Sequence, residues 1–86
     1  MTPSDLISNP KNWCQGHSAT DREGKPVSPL KSSCYAWDLY GACLKCDVDV
    51  KELVAAVKAQ GFDGLASFND KMTHVDVINI LKRVGL

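Results

Sequence analysis

The chain has 86 residues, 44% apolar and 23% charged, with ten basic and ten acidic side chains and a formal net charge of zero. A chain of that size forms one domain with a modest core, too small to enclose a deep, dry catalytic cavity. The charge balance and a pI near 6.7 exclude the basic footprint of a nucleic-acid binder, and no apolar run reaches the ~18–20 residues of a membrane span.

The first ten residues, MTPSDLISNP, lack the basic and apolar regions of a signal peptide, so a cytoplasmic protein is expected. Four cysteines in that setting read as thiols or metal ligands before disulfides. The first predicted element is a short helix. Thr2 caps it, Pro3 fits the first helical position, and Asp5 suits the positive dipole end. Asn9-Pro10 stops it, because the residue before proline is pushed out of the helical region.

Residues 13–27 lose the helical period and read as a small β-hairpin turning at Asp21-Arg22-Glu23-Gly24. Pro26 confines its second arm to an edge. Strand alternation would place Trp13, Gln15, His17 and Ala19 on one face and Cys14, Gly16 and Ser18 on the other. Ser28-Pro29 then predicts a central helix over about 29–46, with apolar stripes through Leu30, Cys34, Trp37, Gly41 and Leu44 and through Ala36, Tyr40 and Cys43. Gly41 in its middle costs ~1 kcal/mol against alanine and signals the close approach of another backbone.

Asp49 with Glu52 resembles a capping box for a helix over about 49–60. Val50, Leu53, Val54 and Val57 form its stripe, and Gly61 is the left-handed residue beyond its end. Phe62 to Met72 reads as a connector anchored by Phe62 and Phe68, with a turn at Asn69-Asp70. Thr73 caps a last helix over about 74–84, with Asp76 in its first turn and Lys82 and Arg83 in its last. The fold class is therefore mainly α (α+β), about four short helices packed with one β-hairpin.

Several of these pieces recur in one order: Trp13-x-Gln15-Gly16, Ala19-x-Asp21-x-x-Gly24-x-Pro26-Val27, Ala36 through Gly41-Ala42, and Phe68-Asn69-Asp70 before Thr73-x-x-Asp76-Val77. This pattern resembles DUF6197, a group of small bacterial and phage proteins of unknown function. The resemblance spans most of the chain from Trp13. Departures include His17 and Phe68, where the family tends to have alanine and tryptophan, and cysteines at 34, 43 and 46. It implies a fold but no reaction, and by analogy it suggests a small protein that binds something larger.

The spacing Cys14-x2-His17 with Cys43-x2-Cys46 permits a tetrahedral zinc site, with Cys34 to spare. A strand would separate Cys14 from His17 unless the chain turns at Gly16, whereas a helix keeps Cys43 and Cys46 on one face. Core cysteines are the plainer reading, and a Cys14–Cys34 disulfide is a further option. A redox Cys43-x-x-Cys46 pair would sit at the wrong end of its helix. A cysteine enzyme would need His17 or His74 beside a thiol, and His74 reads more simply as a solvated first-turn residue.

The favoured expectation is a non-enzymatic module that binds another protein, an inhibitor or adaptor encoded by a bacterium or phage. No cofactor, nucleic acid or membrane is expected. Its candidate contact residues are Trp13, Gln15, His17, Arg22 and Glu23, with Trp37 and Tyr40 as core or as an exposed aromatic patch. A small zinc domain on Cys14, His17, Cys43 and Cys46 is the alternative, and a minor cysteine-dependent enzyme the second.

Overall fold

A computed structural model describes residues 1–86. Helix α1 (Pro3–Leu6) opens as its residues predict. The Thr2 hydroxyl accepts from the Asp5 N–H, and the Asp5 carboxylate accepts from the Thr2 N–H. A single 3-10 turn, Pro10–Asn12, follows, capped by the Asn9 side chain.

The β-structure is real but differently paired. Strand β1 (Ala19–Thr20) lies antiparallel to β2 (Ala36–Trp37), with Ala19 opposite Trp37 and Thr20 opposite Ala36. The expected turn does form. Asp21 accepts from the Glu23 and Lys25 N–H groups, and Val27 donates back to the Ala19 carbonyl. Its second arm stops at one bridge between Thr20 and Pro26, because proline has no N–H to extend a ladder. Trp13 lies on the far side of β2, in a parallel bridge with Trp37.

The helix expected from Pro29 starts instead at Leu39. Ser28 to Cys34 forms successive turns, and the Trp37 indole N–H donates to the Pro29 carbonyl. Pairing with β1 holds Ala36 and Trp37 extended, so the helical period of this stretch yields to tertiary contact. Asp38 then caps α2 (Leu39–Cys46) through its side chain. Leu39, Ala42 and Cys43 turn inward, while Leu30, Tyr40 and Leu44, expected in the apolar stripes, are 59%, 47% and 41% exposed. A Cβ on Gly41 would overlap the Ser18 carbonyl oxygen. This is the close backbone approach expected there.

Asp47, with a left-handed backbone (φ 54°), ends α2. Helix α3 (Lys51–Ala59) has no side-chain cap at Val50; Asp49 accepts from the Lys51 N–H instead of forming the expected capping box. Gly61 follows at φ 92°, as expected. The stretch from Phe62 to Met72, expected as a connector, contains a fifth helix, α4 (Leu65–Lys71). Serine, asparagine and aspartate are poor helix formers, so propensity does not announce it. Its inward Leu65 and Phe68, three residues apart, and the buried Asn69 hold it against the core. Helix α5 (His74–Arg83) carries the expected reciprocal cap between Thr73 and Asp76.

One core joins these elements. It contains Ile7, Leu39, Ala42, Cys43, Leu53, Val57, Leu65, Phe68, Val77, Ile80 and Leu81. Helix α1 packs on α2 and α5, α4 packs on α2 and α3, and α5 closes against α3 and α4. Each buried Leu, Val or Phe removes enough apolar surface from water to supply ~1.5–3 kcal/mol. The radius of gyration is 11.6 Å, near the ~12 Å of a folded chain this long. No helix is long and apolar enough to cross a membrane.

Candidate functional site

Asn69 lies on α4 with no exposure to solvent. Its Oδ1 accepts from the Trp13 indole N–H at 2.6 Å and the Leu39 N–H at 2.9 Å. Its Nδ2 donates to the Cys14 carbonyl at 3.0 Å and to Asp70 Oδ1 at 3.1 Å. An asparagine side chain has two donors and two acceptor sites, so this one is fully used. It ties α4 to the start of α2 and to the Trp13–Cys14 segment.

Gln15 adds a second tie. Its amide nitrogen donates to the carbonyls of Asn69, Asp70 and Met72 at 3.0, 3.3 and 3.1 Å. These lie at the end of α4, where carbonyls have no partner within the helix. Gly16, at φ 86°, turns the chain and donates its N–H to Asp70 Oδ1 at 3.0 Å. Trp13 and Gln15 therefore direct their polar groups inward to the protein itself. The Trp13 ring also lies 5.5 Å from the His74 ring, and His74 Nε2 donates to the Ile7 carbonyl at 2.6 Å. His74 is half-buried and bonded rather than solvated.

The turn at Gly16 opens a groove of about 360 Å³ between the Gly16–Ser18 segment, α2, α3 and α4. Val50, Val54 and Leu65 form an apolar wall, Ala66 and Tyr40 stand beside them, and His17, Asp38 and Asp70 supply the polar lining. On the next turn of α2 the exposed Leu44 follows Tyr40 at helical spacing, on the same side.

Asp38 is the unusual member. It is 4% exposed and accepts from the Gly41 N–H at 2.6 Å. Burial pushes its carboxyl up, the Gly41 N–H pulls it back, and nearby Asp70 raises it again, to about 6. Loss of hydration disfavours the charged form, and a like charge adds to that.

The cysteines behave differently. Burial pushes the Cys14 thiol up to about 11, partly offset by the Thr20 side chain, and the Cys43 thiol up to about 12, with Cys46 and Asp38 adding to it. Cys46 is also raised by burial. These thiols stay protonated at neutral pH, and protonated thiols are poor nucleophiles. Cys14 and His17 do approach each other through the Gly16 turn, but Cys14 Sγ donates to the His17 carbonyl at 3.4 Å. Cys43 belongs to the core. All four cysteines are free, and no group of three or more His, Cys, Asp or Glu side chains is arranged to hold a metal ion.

Of the expected contact residues Trp13, Gln15, His17, Arg22 and Glu23, His17 alone lines the groove, and Tyr40 of the expected aromatic patch joins it. Arg22 stacks over the Tyr35 ring at 4.8 Å, and Glu23 pairs with Lys25 at 3.5 Å at the exposed turn. Ser18, Asp38, Val50, Val54, Leu65, Ala66 and Asp70 also line it and are not among the expected contact residues. One signal was available for Asp38. An aspartate three residues before Gly41, after an Ala-Trp pair, is a good helix cap. No family model, curated protein or solved structure matches the chain.

Proposed function

We propose that this protein is a small non-enzymatic module that docks another protein across the groove between α2, α3 and α4, as an inhibitor or adaptor does. The observation that carries this reading is the apolar groove continued by Tyr40 and Leu44, 47% and 41% exposed on successive turns of α2. Large apolar side chains beside a concavity are the usual material of an interface, and aromatic residues are enriched among its strongest contacts. The protein's own fold does not use them, since Leu39, Ala42 and Cys43 form the buried side of the same helix. Four free cysteines support a reducing, cytoplasmic setting.

A photo-reactive p-benzoylphenylalanine at position 40, in cells that make the protein naturally, tests this. It is expected to cross-link one polypeptide, and Leu44→Asp is expected to abolish the product while the circular dichroism spectrum is unchanged. The same residue at position 75, where Val75 is 64% exposed on α5, should yield nothing comparable. Equal products from both positions, or none from position 40, would overturn the reading.

A further inference from the structure

We infer that the groove receives a cationic side chain, a lysine or arginine displayed by the partner protein, with its aliphatic stem along Val50, Val54 and Leu65 and its charged head at Asp38 and Asp70. This rests on the docking reading above and names the chemistry of what docks. The argument is one of charge complementarity. Asp38 and Asp70 line the same groove, and the Asp70 charge adds to the burial that disfavours ionisation of Asp38. The one ion pair in the protein, Lys25 with Glu23, lies at the exposed turn. No basic side chain of this chain forms an ion pair with either groove carboxylate, His17 on the same lining included.

The structural roles of these two residues do not require a charge. Asp38 accepts from the Gly41 N–H and Asp70 from the Gly16 N–H and Asn69. Asparagine caps a helix about as well as aspartate, and its carbonyl would accept both kinds of bond. A buried carboxylate with a like charge beside it and no counter-ion is unfavourable unless a cation arrives. The apolar wall completes the match. Lysine and arginine lay their methylene stems on apolar surface and keep the charged end at a polar site. A groove of about 360 Å³ lies within the ~300–1,000 Å³ range of sites that enclose small ligands, enough for one such side chain.

The test uses the purified protein and three peptides, acetyl-Ala-Leu-X-Leu-Ala-amide, with lysine, norleucine or glutamate at X. Binding is read from the amide signals of Gly16, Gly41 and Asp70 in nitrogen–proton correlation spectra. The lysine peptide is expected to shift these signals saturably and to bind about tenfold or more tightly than the norleucine peptide, the gain of one charge-assisted contact. The glutamate peptide should not bind. Asp38→Asn and Asp70→Asn, which keep the internal hydrogen bonds, should each erase the preference for lysine while the rest of the spectrum stays in place. Equal binding of the lysine and norleucine peptides would overturn the inference yet leave an apolar docking groove. Lysine binding unchanged in both asparagine variants would overturn it too. Absence of any peptide binding overturns it as well, and the cross-link at position 40 then decides the docking reading independently.

Discussion

Between Lys51 and Arg83 three helices bury their apolar stripes in one core, while between Asn9 and Asp38 only a 3-10 turn and two two-residue strands are regular. The first region is held mainly by packing: Leu53, Val57, Phe68, Val77 and Leu81 are each 1% exposed or less. The second is held by side chains that bond to distant backbone. Asn69, Gln15 and Asp38 together supply most of the bonds that fix Trp13 to Gly16 and the start of α2. The comparison teaches that an irregular segment can be held in place by polar side chains that bond distant backbone. No buried side-chain nitrogen or oxygen lacks a hydrogen-bond partner. The groove lies where the two regions meet, walled by α3 and α4 and rimmed by Gly16–Ser18.

Replacing Asn69 tests that comparison most severely. Asn69→Leu leaves the Leu39 N–H, the Trp13 indole N–H and the Cys14 carbonyl without partners. At ~1–3 kcal/mol for each buried unsatisfied group, the loss should be on the order of 4 kcal/mol in denaturant unfolding. A loss no larger than that of a surface substitution would show that the irregular segment is held by something else. Leu81→Ala, in the helical region, should cost about 3 kcal/mol through the cavity it leaves. It should do so without releasing the Trp13–Gly16 amides to faster hydrogen exchange before the rest of the molecule.

Gly41→Ala should cost about 2 kcal/mol, since the new methyl group must push the Ser18 carbonyl away. The same substitution at an exposed helix position is expected to stabilise instead. A stabilised Gly41→Ala protein would refute the close approach of α2 and the β1 segment.

Asp38 makes a prediction of opposite sign. Its folded pKa, about 6, lies above the ordinary 3.8, so the folded state holds a proton that the unfolded chain has released. The stability this group contributes is present below pH ~4 and is lost as pH rises to about 6. A shift of about two units sets a ceiling near 3 kcal/mol. Asp38→Asn should therefore flatten stability between pH 4 and 6 and raise it at pH 7 by about 1–2 kcal/mol, once the lost attraction between the charged cap and the helix dipole is deducted. Unchanged pH dependence would place the ionisation elsewhere. The smallest effect belongs to Gln15→Ala. Two of its three bonds are solvent-exposed, so about 1 kcal/mol is expected, with fraying confined to Asn69–Met72 in hydrogen exchange.

Helix termini were the most legible feature of the chain. Thr2 with Asp5, Thr73 with Asp76, and Gly61 each mark a boundary through bonds or backbone angles local to a few residues, and each is found where its residue type implies. The start of α2 was not legible. Ser28-Pro29 is a good local signal, and it lost to pairing between residues 19–20 and 36–37, which are distant in sequence. Helix α4 was hidden for a related reason. Its Asn69 and Asp70 look like turn residues until their side chains are seen to bond Trp13, Leu39 and Gly16. Among the expected contact residues, His17 lines the groove, whereas Trp13 and Gln15 hold the fold; residue type alone does not distinguish those two uses of a polar group.

By itself the sequence determined the mainly helical class, the caps of α1 and α5, the end of α3 and the tight passage at Gly41. Each depends on a few neighbouring residues and on backbone sterics. Only the tertiary structure decided that Asn69 would be a hub, that Tyr40 and Leu44 would face outward, and that Asp38 and Asp70 would meet at one groove. Those outcomes depend on which distant backbone segments come together, and no local pattern carries that information.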